Sequence, residues 1–386
     1  MTDDAFDAAV RAVREEIDPA PGERERLAAA AEDLIERAED AVADLDVAAD
    51  ALLVGSTARG TWIGGDRDID VFVRFPADLD RETLEKYGLR VGDEVLPEGH
   101  EEYAEHPYVT GTRGFSGYLT ELLVLRYGGF REFVEAAADW HPPVRLDPED
   151  HGEATFDDPL VVVDPTDPER NVAAVLSPDN VARVQHYARE LLADPRSDLF
   201  FPDPPEPIAA DAVREHLADR GTSPVAVRFD APDVVEDQLY PQLRKSLSGV
   251  TEELDRRGFD VLRAAAFAGD DAVLFVELAV AELPAVERHD GPPVHVRQHA
   301  TGFFEKYADG DDYGPFVDGD RYVVERDRAH PSAADFVASD ALFDVGLGAT
   351  VEEALRDGYE VLVGDEVAAL ASAFGAALAR YFSPRP

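Results

Sequence analysis

The chain has 386 residues, 82 of them acidic and 36 basic, for a formal net charge of −46. At roughly 100–200 residues per domain it should hold several domains, and with 45% hydrophobic residues it can build cores, which excludes a disordered polyelectrolyte over most of its length. The absence of cysteine excludes disulfides, thiolate nucleophiles and Cys-based zinc sites, and with an acidic Met1-Thr2-Asp3-Asp4 start and no long apolar run the expectation is a cytoplasmic protein that does not meet a membrane.

Apolar residues recur at helical spacing over 3–17 and 22–45, the second set being Leu27, Ala31, Leu34, Ile35, Ala38, Ala41, Val42 and Leu45. Residues 48–54 read as a buried strand ending at Gly55-Ser56. A turn-rich stretch to Asp66 follows, then a second strand, Asp68–Phe75, stopped by Pro76. A short helix is expected at 80–87, a strand at 101–109, one long helix at 115–138, a strand at Leu160–Val163 and a helix over 171–193. The proline-rich stretch Phe201–Pro207 marks a boundary. Beyond it, helix 209–219, strand 224–229, helix 240–257 and strands 259–267 and 272–281 form an α+β series.

The stretch Val54-Gly-Ser-Thr-Ala-Arg-Gly-Thr-Trp-Ile-Gly-Gly-Asp-Arg-Asp-Ile-Asp-Val71 carries the chemistry. Gly55 and Ser56 follow a strand and open a helix, where free N–H groups and a hydroxyl suit a phosphate. Arg59 stands one turn on, able to clamp a triphosphate oxygen. In Asp68-Ile69-Asp70, side chains at i and i+2 of a strand share a face, and two carboxylates there repel unless a cation lies between them. Hard oxygen ligands of this kind suit Mg²⁺, with phosphates completing the coordination. A phosphate turn beside a carboxylate pair is the equipment of nucleotidyl transfer.

Gly55-Ser-x-Ala-Arg-Gly-Thr with Asp68-Ile-Asp-Val resembles the polymerase-β-type nucleotidyltransferases, and specifically the archaeal (class I) CCA-adding enzymes. Tyr103-Ala-Glu-His-Pro-Tyr-Val109, Gly114-Phe-Ser-Gly-Tyr-Leu119 with Glu121-Leu-Leu123, Asp164-Pro165 with Arg170-Asn-Val-Ala-Ala174, and Leu239-Tyr-Pro-Gln-Leu243 extend the likeness to about residue 345. The resemblance implies a multidomain α+β protein: a nucleotidyltransferase head at 1–110, a helical neck at 111–205, and an α+β body and tail at 206–386 that bind tRNA. It implies an enzyme that adds C, C and A to the tRNA 3′ end from CTP and ATP with Mg²⁺ and no nucleic-acid template, and a chain able to form a homodimer. Carried over residue by residue, Gly55, Ser56 and Arg59 hold the triphosphate, Asp68 and Asp70 are the catalytic metal ligands, and Asp164 and Arg170 read the incoming base.

The likeness has one break. In the family a further strand with a third metal carboxylate follows the His-Pro-Tyr-Val strand, and a lysine-bearing helix comes later. Here His106–Arg113 runs straight into Gly114-Phe-Ser-Gly-Tyr, and no lysine lies between Lys86 and Lys245. The expectation is an incomplete head lacking a central strand and an internal deletion between Val109 and Gly114, with Glu101, Glu102 and Glu105 candidates for a substitute acid on proximity alone. The alternatives are a catalytically inactive tRNA-binding remnant and a related enzyme with another substrate.

Only Lys86, Lys245 and Lys306 among the bases are lysine. A carboxylate-coated, lysine-poor chain reads as one kept in solution at high salt, where at ~1 M the Debye length is about 3 Å and self-repulsion is screened. Counterion release then contributes little to holding a polyanion, so tRNA binding rests on shape, stacking and a few arginines. Arg244-Lys245, Arg256-Arg257 and Arg321, Arg326 and Arg328 are the basic clusters, with Phe303-Phe304, Tyr313, Phe316 and Tyr322 as aromatic neighbours. His295 and His299 read as ordinary surface histidines.

Overall fold

The two N-terminal periodic stretches form α1 (Thr2–Ile17) and α2 (Pro21–Ala43), the latter with proline in its first turn, where the missing N–H costs nothing. A computed structural model describes residues 2–65, 68–95 and 114–386. The expected strand at 101–109, the acids Glu101, Glu102 and Glu105, and the Val109–Gly114 junction lie outside the described residues.

The first strand, β1 (Asp50–Val54), runs directly into the five-residue helix α3 (Gly55–Arg59). The second, β2 (Asp70–Arg74), pairs antiparallel with β1 in the register Asp50↔Arg74, Leu52↔Phe72 and Val54↔Asp70, and α4 (Arg81–Val95) follows. Alternation assigns the two faces. Ala51 with Val71 and Val73 packs under α2 and α4 on Ala38, Ala41, Val42, Val91 and Val95. The opposite face carries Asp70 and Phe72, the latter 64% exposed. A two-stranded ribbon is marginal alone, so the two helices supply what holds it.

Instead of one helix at 115–138 there are two, α5 (Gly117–Tyr127) and α6 (Phe130–Ala138). Gly128 ends α5 in the left-handed region (φ 91°) and returns its N–H to Val124 O, a geometry that glycine adopts without strain. Next come β3 (Val144–Leu146), β4 (Leu160–Asp164) and β5 (Asp167–Asn171), with β4 central, parallel to β3 and antiparallel to β5. The expected helix from residue 171 starts only at Pro178, as α7 (Pro178–Ala193), because Ser177 caps it by accepting from Asn180 N and proline takes the first position. Leu119, Leu122, Leu123, Phe133, Trp140 and Leu160 centre this core.

The chain divides into two compact units, Met1–Pro202 with Pro386, and Asp203–Arg385. The second contains α8 (Ala210–Arg220), β6 (Ser223–Asp230), α9 (Glu236–Arg257), β7 (Val261–Ala268), β8 (Asp271–Leu278), β9 (Val286–Pro293), α10 (Arg297–Tyr307), β10 (Tyr313–Asp318), β11 (Arg321–Asp327), α11 (Ala333–Val337), α12 (Ala349–Asp357), β12 (Glu360–Val363) and α13 (Ala371–Phe382). Its main sheet has the order β12-β6-β8-β7. Alternate β8 residues Leu274, Val276 and Leu278 face α9, α11 and α12, while Val273 and Phe275 face α8 and α13. A smaller sheet, β10-β11-β9, packs with α10. The architecture is multidomain α+β, and among the described residues no helix is long and apolar enough to cross a membrane.

Candidate active site

The junction of β1 and α3 brings the predicted phosphate turn onto the aspartates. Strand pairing sets Asp70 opposite Val54, one residue before Gly55. Gly55 takes φ +69°, and a Cβ added there would lie 1.8 Å from Asp70 Oδ2 and 2.8 Å from its Cγ, so the Asp70 carboxylate rests against the Gly55 backbone. Only glycine permits both the turn and this approach. Asp68 departs from expectation, since β2 begins at Asp70 and the same-face rule for i and i+2 does not reach it. Its strand partner has already turned into α3, and Thr57 Oγ1 instead donates to Asp68 O at 2.5 Å. The turn thus meets Asp70 through a carboxylate and Asp68 through its backbone, and both residues are exposed. Five residues sum little macrodipole, so an anion here depends on the Ser56 hydroxyl, local N–H groups and Arg59.

Arg59 is engaged by an unforeseen partner. Its Nε lies 2.7 Å from Glu121 Oε2, and Thr61 Oγ1 donates to Glu121 Oε1 at 2.5 Å. Glu121 stands on α5, whose Leu119, Leu122 and Leu123 are buried, and it shares a face with Tyr118 three residues earlier. Tyr118 and Glu121 both fall within the stretch that carries the family resemblance, where the resemblance assigns them no role. Their signal is there all the same: polar side chains three apart on a largely apolar helix.

Tyr118 leads to the other predicted pair. Its hydroxyl donates to Asp164 Oδ1 at 3.3 Å, which also accepts from Thr166 N at 2.9 Å and Thr166 Oγ1 at 2.8 Å, while Arg170 Nη1 donates to Oδ2 at 3.0 Å. Burial pushes the Asp164 carboxyl up, but the Thr166 N–H and hydroxyl, the Arg170 charge and the Tyr118 hydroxyl outweigh it and hold the group below the usual carboxylate range. Burial and the Asp164 charge in turn raise Tyr118, and the charges of Arg170 and Arg59 work against that rise. Arg170 keeps 61% of its side chain exposed, so its remaining donors reach solvent. The neighbouring Asn171 is buried and fully used: Oδ1 accepts from Val162 N and Ala173 N at 2.9 Å, and Nδ2 donates to Asp158 Oδ2 at 2.9 Å and Leu160 O at 3.2 Å. It fixes the backbone that presents Arg170.

The basic clusters in the second unit are partly self-neutralised. Arg256 and Arg257 both pair with Glu253, and Arg326 and Arg328 with Glu287. Phe303, Phe304 and Tyr322 gather where α10 meets β11, with Phe304 half-exposed.

Among the described residues no three His, Cys, Asp or Glu side chains converge as a metal cluster. Two carboxylate residues at the turn, one cradled where a Cβ would otherwise sit, still suit a hard divalent ion that takes its other ligands from phosphates and water.

The family described as "Nucleotidyltransferase domain" matches residues 35–114, "tRNA nucleotidyltransferase, second domain" matches 108–201, and "CCA-adding enzyme, C-terminal domain" matches 220–364. A CCA-adding enzyme of Haloarcula marismortui is 54% identical, with 99% of this chain and all of that protein aligned. The chain belongs to the CCA-adding enzyme family. A Halobacterium salinarum member is 52% identical with both chains fully covered, and a Methanosarcina barkeri member is 34% identical over 91% of this chain and 92% of its own. The Haloarcula and Halobacterium relatives come from halophilic archaea, in accord with the acidic, lysine-poor composition. The Haloarcula alignment runs over 464 positions against 386 residues here, so at least 78 of its positions face a gap in this chain. Nucleotidyltransferases of this family generally use a divalent metal.

Proposed function

We propose that this chain adds C, C and A to the 3′ end of tRNA, taking CTP and ATP and working with Mg²⁺ in the cytoplasm at high salt. The observation that carries the reading is the Asp70 carboxylate seated on the Gly55 turn, one helical turn before Arg59. The Ser56 hydroxyl and Arg59 hold the triphosphate in line, and Asp68 and Asp70 would hold the Mg²⁺. When bound, the ion neutralises phosphate charge and eases deprotonation of the attacking hydroxyl. The tRNA 3′-oxygen forms the new bond to the α-phosphorus, the bridge to the β-phosphate breaks, pyrophosphate leaves with the electron pair, and the hydroxyl proton passes to solvent. Arg170, fixed by Asp164, offers planar donors to the edge of the incoming base. The aromatic group around Phe304 and Tyr322 offers stacking surface for RNA, a contact less sensitive to salt than phosphate pairing. A homodimer is part of the same proposal.

Incorporation of labelled CTP and ATP into tRNA lacking its 3′ end, in molar KCl, tests this. Stepwise addition of C, C and A is expected. Tight tRNA binding without incorporation at any enzyme concentration would overturn it in favour of a binding remnant.

Gly55→Ala probes the turn. The added methyl must displace the Asp70 carboxylate and adopt a left-handed backbone, so CCA addition should fall by about a hundredfold, the order expected for an ångström-scale misplacement of a reacting group. Rates of labelled CTP incorporation check it, and a rate within twofold of the parent would show that Asp70 does not need this seat.

A further inference from the structure

Several charge pairs among the described residues of the first unit are local to one helix: Arg37–Asp33, Arg90–Glu94 and Arg131–Glu135 are spaced i,i+4. Pairs of that sort contribute little. The Arg59–Glu121 pair differs. It joins two elements 62 positions apart, the Glu121 side chain is only 22% exposed, and one carboxylate takes two donors, Arg59 Nε and Thr61 Oγ1, from the same turn. The two carboxylate oxygens thus span α3 from its last residue to just past its left-handed cap, Gly60.

We propose that Glu121 is the positioning residue for Arg59: it fixes the guanidinium by its Nε edge and leaves the Nη edge for the triphosphate. This inference rests on the reading of Arg59 as a triphosphate ligand. A long arginine free in solvent samples many rotamers, and ordering it on binding costs affinity. A carboxylate that already holds Nε removes much of that cost and fixes the plane of the fork. The same carboxylate repels the phosphates, but at ~1 M salt the Debye length of about 3 Å screens that repulsion, whereas the direct, partly buried contact is screened much less. The device therefore suits a chain working in strong brine. The helix does the same at a second point, since Tyr118 on that face holds Asp164, which holds Arg170. One face of α5 thus orients both arginines assigned to the nucleotide.

The test is equilibrium dialysis of labelled CTP and ATP, with Mg²⁺ in molar KCl, against the full chain and four variants: Arg59→Ala, Glu121→Ala, Glu121→Gln and the double alanine. Glu121→Ala should weaken CTP and ATP alike by about tenfold, because the contact concerns phosphate and not base. Glu121→Gln, which keeps an acceptor in place, should recover most of that loss and guards against failure of the alanine variant to fold. In the Arg59→Ala background, adding Glu121→Ala should change affinity by less than about twofold, since the two act as one unit. A merely structural Glu121 would instead give losses that multiply. Multiplying losses, parent-like affinity of Glu121→Ala, or tighter binding by it would each overturn the proposal, the last by showing that the carboxylate competes with phosphate. If Arg59→Ala itself binds CTP and ATP like the parent, it is the assignment of Arg59 to the triphosphate that fails.

Discussion

Asp70→Asn should reduce CCA addition by roughly a thousandfold, equivalent to about 4 kcal/mol of transition-state stabilisation, while leaving the fold and tRNA binding unchanged. Asparagine is nearly isosteric, the backbone pairing of residue 70 with Val54 does not involve the side chain, and the residue lies on the exposed face of the ribbon. Such a surface change ordinarily moves stability by less than about 0.5 kcal/mol. What changes is charge: an amide oxygen is a poor ligand for a hard dication beside phosphates, and its N–H₂ points a donor where a cation should sit. Single-turnover incorporation of labelled CTP, with thermal melting and tRNA binding on the same preparation, separates the effects. A rate within tenfold of the parent would remove Asp70 from the chemistry. At least 78 aligned positions of the Haloarcula relative have no counterpart here, and the sequence between Val109 and Gly114 carries no acid.

The strand–turn–strand core of the site is legible in the sequence because each part has its own local signal: a β-branched run, a Gly-Ser turn, an Asp-x-Asp. The place of Asp68 outside β2 is not legible, because it depends on where the partner strand turns away, a tertiary fact. The split of 115–138 has a local cause in Gly128-Gly129, which the apolar periodicity around Phe130 and Phe133 outweighs when the segment is read as one pattern. The late start of α7 has one too, in Ser177-Pro178. Glu121 is a different case. In a chain of 82 acids no single carboxylate stands out, and only its distant partners Arg59 and Thr61 mark it. The same acidity hides Glu277, which sits in a strand whose other residues announce a core.

Loss of Glu277 should cost the second unit heavily. It follows Val273 and Phe275 on the face of β8 toward α8 and α13, and it is fully buried. Its carboxylate takes Arg220 Nε at 2.6 Å, Arg220 Nη2 at 2.9 Å and the Tyr381 hydroxyl at 2.8 Å, with the Thr222 hydroxyl as a fourth donor. Burial pushes the carboxyl up, yet the bonds from Arg220, Thr222 and Tyr381 outweigh it and hold it below the usual range. Glu277→Ala leaves a part-exposed arginine edge and two hydroxyls without their acceptor, at a cost of about 3 kcal/mol. For a unit of this size, at roughly 2–4 °C per kcal/mol, the melting temperature should fall by roughly 6–12 °C. Because the group is lowered in the folded state, its contribution is present above the unfolded value of about 4.3 and is lost as pH falls through the folded one. The melting-temperature gap between the parent and Glu277→Gln should thus be constant from neutrality down to about pH 5 and shrink below about pH 4. Salt separates this pair from the surface ones. Rising KCl screens exposed carboxylates and steadies the whole chain, but a carboxylate without solvent contact is hardly screened, so the Glu277→Ala deficit should persist undiminished in molar KCl. Calorimetry across that range decides it, and a melting point within about 3 °C of the parent would show that the four donors find other partners.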